Sequence, residues 1–186
     1  MVMAADRALD GGTFDGSGRI GPRAVLAALE DVADPEIPNV SIVELGMIEQ
    51  IEVRPDVIAV ELLPTFVGCP ALEVIREAVA TRLLAFGRPV RVEMTFARPW
   101  TTNRISPAGR EKLRASGFAP PPHLASTARA LPVLGATPAG TDEPPVECPY
   151  CGSARTTLEN VFGPTQCRSI RHCVDCRQPF EAFKPV

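Results

Sequence analysis

The chain has 186 residues, 45% hydrophobic and 22% charged, with a net charge of −3. That composition is globular and leaves room for one ordinary domain and a small appendage. The near-neutral balance excludes a chain drawn as a whole to nucleic acid or to an anionic membrane surface. No apolar run approaches a membrane span and no secretory leader is legible, so the expected compartment is the cytoplasm, where paired cysteines favour metal over disulfide.

Residues 1–20 are rich in Gly and Asp and read as a frayed, disordered tail. A helix is expected over residues 22–32, with Pro22 at its first position and Val25, Leu26, Leu29 and Val32 at helical spacing. It stops before Asp34-Pro35-Glu36-Ile37-Pro38, because Pro35 drives the preceding residue out of the α region. Asp34 and Glu36 invite an acid–base reading, but an Asp in this setting more commonly braces a turn.

Two strands follow, residues 48–54 and 57–63, joined by Arg54-Pro55-Asp56 as a hairpin. The second is almost continuously apolar and suits a strand buried on both faces. The clearest helix is expected to open at Cys69-Pro70 and run to about Phe86, with Leu72, Ile75, Val79, Leu83 and Phe86 on one face and Gly87 as its stop. Val90, Val92, Met94 and Phe96 then alternate with polar residues as a half-buried strand. Ser106 caps a short helix through about Ala115, with Pro107 at its first position.

From residue 119 to 147 the texture changes: seven prolines and almost no charged or aromatic residues make a semi-rigid linker. The expected organisation is a tail at 1–20, an α/β domain at 21–118, a Pro-rich linker at 119–146 and a cysteine-bearing module at 147–186.

That last module carries Cys148-Pro149-Tyr150-Cys151 and Cys173-Val174-Asp175-Cys176, two C-x-x-C knuckles separated by 21 residues. Four thiolates complete the tetrahedral shell of a closed structural Zn²⁺ site, with iron as the rival ion and a pair of disulfides as the metal-free alternative. About forty residues cannot bury enough core to fold unaided, so metal binding here is equivalent to folding. Strands are expected over 155–162 and 166–172 around Gly163-Pro164, with Phe180 and Phe183 packing from the strand that follows. Cys167 and His172 could each replace an outer cysteine. Packing or simple exposure is the plainer reading of Cys167, and a surface or supporting place that of His172. The module's five basic and four acidic residues make no nucleic-acid footprint, so protein docking is the expected use.

Cys69, just before Pro70, falls at the expected N-cap of the long helix. Orphan N–H groups and the helix dipole there would stabilise a thiolate, a nucleophile or soft-metal ligand. A small residue capping a helix explains the same position. The chain's two histidines, His123 and His172, are remote in sequence, which disfavours a Cys–His hydrolase. A lone thiolate suits transient metal handling, its further ligands coming from a second copy, in a homodimer, or from a partner.

The motifs D-P-E-I-P at 34–38, I-V-E-L-G-M-I at 42–48 and T-F-V-G-C-P at 65–70 resemble the signature of the iron–sulfur cluster assembly domain across residues 21–100. The stretch W-T-T-N-R-I-S-P-A-G-R at 100–110, the C-P-Y-C-G knuckle, F-G-P-T-Q-C at 162–167, C-V-D-C and P-F-E-A-F-K at 179–184 resemble the D-subunit family of phenylacetyl-CoA epoxidases. The resemblance implies an α+β fold: a small iron–sulfur-assembly-type α/β domain (helix, β-hairpin, helix, strand) plus a C-terminal β zinc ribbon. It implies a non-catalytic accessory subunit, for maturation or assembly, of the multicomponent oxygenase that epoxidises the aromatic ring of phenylacetyl-CoA in phenylacetate catabolism. Oxidoreductase chemistry then resides in the partner subunits. Cys69 would bind or pass iron or an Fe–S cluster, and Cys148, Cys151, Cys173 and Cys176 would hold zinc. The alternatives are an inert scaffold within the same complex and a general Fe–S assembly factor. Nucleic acid and membrane are not expected partners.

Overall fold

The computed structural model describes residues 20–123 and 145–184. The tail expected at 1–20, apart from Ile20, and residues 124–144 of the expected linker lie outside them. The described residues divide into two compact units, one formed by residues 20–64 and 70–99, the other by residues 65–69, 100–123 and 145–184.

In the first unit, helix α1 (Pro22–Leu29) begins with its proline as expected, but it ends three residues early. There Val32 donates its N–H to the Leu29 carbonyl at 3.0 Å, a tighter turn than the α-helix allows. The D-P-E-I-P segment is more than a stop: β1 (Ala33–Asp34) and β2 (Ile37–Ser41) form a small antiparallel ladder across it. The Asp34 carboxylate accepts from the backbone N–H groups of Glu36 and Ile37 at 2.9 and 3.0 Å. Asp34 therefore braces a turn, as an Asx residue does.

Strands β3 (Ile48–Val53) and β4 (Ile58–Leu62) form the expected antiparallel hairpin, with Ile51 opposite Val60 and Val53 opposite Ile58. The third strand, β5 (Val90–Met94), pairs parallel to β4, with Val60 opposite Val92. A parallel neighbour needs a crossover, and helix α2 (Leu72–Leu83) supplies it. The central place of β4 explains its almost continuous apolar run: Ile58, Val60 and Leu62 are buried, as are Val25 and Leu29 of α1 and Ile75, Val79 and Leu83 of α2. Full burial of such a side chain is worth about 1.5–3 kcal/mol. Arg82 adds a polar tie from α2, bonding the Ala28 carbonyl at 3.1 Å and the Asp31 carboxylate at 2.7 Å. After α2, a 3₁₀ turn over Leu84–Phe86 leads to Gly87, whose φ of 67° ends the helix in the left-handed region.

The second unit holds α3 (Pro107–Ala115), capped by Ser106, whose hydroxyl accepts from Gly109 N–H at 3.0 Å. It also holds a four-stranded sheet in the order β6–β9–β8–β7. Strands β7 (Thr156–Asn160), β8 (Arg168–Cys173) and β9 (Pro179–Phe183) are antiparallel neighbours. The two-residue β6 (Phe118–Ala119) adds to β9 in parallel. Helix α3 and Phe118, which end the segment assigned from sequence to 21–118, thus fall in the second unit, as does Ala119, the first residue of the expected linker.

Ala119, Val146, Cys148, Cys173, Phe180 and Ala182 form this unit's small core. Phe183 is buried as well, so both expected phenylalanines pack inward. Arg168 is buried on β8, where its guanidinium meets Glu181 of β9 at 2.8 Å and lies 4.9 Å from the Phe118 ring centroid.

Candidate metal centre

Each knuckle is built by its backbone. In the first, Gly152 N–H donates to the Cys148 carbonyl at 2.9 Å, and Cys148 N–H donates to the Ser153 carbonyl at 2.9 Å. In the second, Arg177 N–H donates to the Cys173 carbonyl at 2.9 Å, and Cys173 N–H donates to the Gln178 carbonyl at 3.0 Å. The second knuckle thus repeats the first.

These two turns bring Cys148, Cys151, Cys173 and Cys176 together with all four sulfurs within 4.8 Å of one another. Closest approaches run between knuckles, Cys148 Sγ to Cys176 Sγ at 3.7 Å and Cys151 Sγ to Cys173 Sγ at 3.6 Å. A tetrahedron with metal–sulfur bonds of about 2.3 Å has edges of roughly 3.8 Å. A disulfide would require about 2.05 Å. The donor set therefore fits one four-coordinate ion. Cys148 and Cys173 are buried while Cys151 is exposed, so one edge of the cluster faces solvent.

Without a positive charge at their centre the thiols of Cys151, Cys173 and Cys176 do not ionise alike. The Cys176 backbone N–H, helped by that of Asp175 and by the sulfurs of Cys151 and Cys176, brings the Cys173 thiol down to about 7. The Gln178 N–H favours the Cys176 thiolate, yet desolvation and the sulfurs of Cys173, Cys151 and Cys148 push that thiol up to about 12. Cys151 is also raised: Ser153 N–H favours its thiolate, but desolvation and the Cys173 and Cys148 sulfurs outweigh it. Four thiolates coexist here only around a cation, and binding one releases protons.

A polar clamp, missed in the sequence, ties the knuckles together outside the metal shell. Asp175, inside the second knuckle, accepts from the Ser153 hydroxyl and pairs with Arg155, both just beyond the first knuckle. Val174 N–H donates to the Arg155 carbonyl at 2.9 Å alongside. Ser153 and then Arg155 lower the Asp175 pKa below its ordinary 3.8. An acidic residue between two knuckle cysteines and a basic one shortly after the other knuckle was the signal available.

Cys167 and His172 stand outside the four-sulfur cluster. His172 sits on β8 opposite Thr157 and Pro179. Cys167 Sγ lies 3.2 Å from Thr165 Oγ1. Cys69 does not cap the long helix as expected: the N-cap is Ala71, and Ile75 N–H makes its bond to the Ala71 carbonyl at 2.9 Å. Cys69 N–H instead closes a separate turn onto the Phe66 carbonyl at 3.2 Å, leaving the side chain partly exposed. The helix dipole acts on Cys69 less than its expected place at the cap implied, because the effect is confined to the first turn.

Known proteins match both halves. Residues 22–100 match the iron–sulfur cluster assembly protein family, and residues 135–184 match the PaaD zinc beta ribbon domain. An Escherichia coli (strain K12) protein, provisionally named as the D component of 1,2-phenylacetyl-CoA epoxidase, is 37% identical over 166 residues, covering 87% of this chain and 92% of its own. A conserved hypothetical protein of Thermotoga maritima is 31% identical over 51% of this chain and 95% of its own, with a TM-score of 0.45. A Bacillus anthracis domain of unknown function, DUF59, is 26% identical over 49% of this chain and 89% of its own, with a TM-score of 0.46.

Proposed function

The chain belongs to the D-component family of phenylacetyl-CoA epoxidases, and we propose that it is a non-catalytic maturation subunit that delivers iron or an Fe–S cluster to the epoxidase complex. The single observation that carries this reading is the joining, in one chain, of an iron–sulfur-assembly-type domain bearing Cys69 to a four-cysteine metal module. Cys69 is the only cysteine of the assembly-type region, and it is partly exposed on a tight turn. No acid–base partner is needed for handing on a soft ion, whereas catalysis by a thiol requires one. In this reading the four-cysteine ion is zinc, held for structure, and iron is cargo at Cys69. The other subunits of the complex are the recipients, in the cytoplasm where thiols stay reduced.

The test is the epoxidase complex reconstituted in cells with the Cys69→Ser chain. Delivery predicts an assembled complex with depleted iron and low epoxide formation. Unchanged iron and turnover would reject delivery and leave a scaffold in its place.

A further inference from the structure

The four sulfurs of the cluster are not equivalent toward solvent. Cys148 and Cys173 are buried and Cys176 is partly exposed, while Cys151 is open to solvent. A small polar oxidant therefore meets Cys151 first. Cys173 Sγ lies 3.6 Å from it, in the other knuckle. The other close pair, Cys148 and Cys176 at 3.7 Å, contains no exposed residue. Around a cation all four sulfurs stand as thiolates, the form that an oxidant attacks.

Bonds that involve no metal also hold Cys151 and Cys173 in register. Ser153 and Arg155, two and four residues past Cys151, both engage Asp175, two residues past Cys173. Val174 N–H, next to Cys173, donates to the Arg155 carbonyl at 2.9 Å. Thr156 of β7 stands opposite Cys173 itself in β8. These ties run from the chain just past Cys151 to the chain at or just past Cys173. Closing from 3.6 Å to a disulfide of about 2.05 Å then takes roughly 1.5 Å of sulfur movement.

We propose that Cys151 is a peroxide-oxidation site resolved by Cys173, so that a disulfide between the knuckles dismantles the metal site. The inference rests on the reading of the four-cysteine ion as zinc. Hydrogen peroxide is the two-electron oxidant. The Cys151 thiolate attacks one peroxide oxygen, forming an S–O bond and expelling hydroxide as the O–O bond breaks. The Cys173 thiolate then attacks the sulfenic sulfur, forming the S–S bond and expelling a second hydroxide. Two protons from solvent turn the hydroxides into water. Cys148 and Cys176 alone are left to hold the ion, and half a tetrahedral shell does not retain it against a chelator. A dithiol reductant returns both thiolates and restores the site.

The test titrates the full-length, zinc-loaded chain with hydrogen peroxide beside a chromogenic chelator, then digests it without reduction. The chain should lose its zinc at one peroxide per ion, the peptide map should join residue 151 to residue 173, and dithiothreitol should restore zinc binding. A variant carrying both Cys69→Ser and Cys167→Ser should respond identically, since neither thiol belongs to the cluster. The wild-type map decides alone should that variant fail to load zinc. Zinc retained through a large excess of peroxide would overturn the inference and leave the zinc site standing. Release with residue 151 joined to residue 148, or with Cys151 over-oxidised and unjoined, would overturn the pairing. Loss of the response in the loaded double variant would place the reactive thiol outside the cluster and overturn it as well. A full-length chain that takes up no zinc would overturn the metal reading and the inference together.

Discussion

Gly152 and Arg177 occupy the same position in the two knuckles, one residue past the second cysteine, and both are left-handed, with φ of 73° and 60°. Each donates its N–H to the carbonyl of its knuckle's first cysteine at 2.9 Å. The turn demands this conformation. Glycine adopts it freely, while a residue with a Cβ is strained by about 1–2 kcal/mol.

The two positions therefore respond oppositely to substitution. Nothing lies within 4 Å of a Cβ on Gly152, so Gly152→Ala is penalised through backbone strain alone. It should weaken metal affinity by about 1 kcal/mol, roughly fivefold. Arg177→Gly relieves the same strain and should hold metal at least as well as wild type. Competition with a chromogenic chelator measures both, and a stronger penalty at Arg177 than at Gly152 would contradict the equivalence.

Asp175 links the knuckles through Ser153 and Arg155. Its folded pKa is depressed, so the link is complete above the ordinary value of 3.8 and is lost only as pH falls through the lower folded one. Across the neutral range Asp175→Asn should speed chelator-driven metal release by a pH-independent factor of about two to five, the modest size of an exposed pair. Identical release rates would show that the backbone bonds alone hold the knuckles together.

Arg168 is 5% exposed, and Glu181 faces it at 2.8 Å. Removing the carboxylate leaves a guanidinium buried without its counter-charge. For a fully buried pair that costs about 3–5 kcal/mol. The Glu181 side chain is 26% exposed, so solvent screening reduces the expectation for Glu181→Ala to about 2 kcal/mol in chemical denaturation. Replacing both residues with apolar ones of similar size should recover most of that loss.

Legibility in the sequence followed the range of the forces involved. The C-x-x-C spacing announced the four-sulfur cluster, since a turn of fixed length suffices to aim two sulfurs at one point. Alternation in β3 and β5 and the apolar run of β4, interrupted only by Glu61, made the first sheet legible, because local side-chain periodicity records burial directly. The D-P-E-I-P ladder was read only as a turn, because its prolines hid a short pairing. The two residues of β6 have no period to detect, and only β9, about sixty positions away, makes them a strand. Cys69 was placed at a helix cap because Pro70 is a plausible first helical residue. The backbone turns once more before α2, which begins at Leu72. The approach of the preceding Gly68 to the end of the Gln166 side chain depends on packing across nearly a hundred residues, and no local pattern encodes that.

The most direct test of the account is metal analysis of the full chain purified without oxygen, beside its Cys69→Ser variant and a variant of Cys148 and Cys173. The account predicts a single tightly held zinc that survives the Cys69 change and disappears with the Cys148 and Cys173 pair, and iron that is lost when Cys69 is replaced. Iron content indifferent to Cys69, or zinc that persists without Cys148 and Cys173, would contradict it.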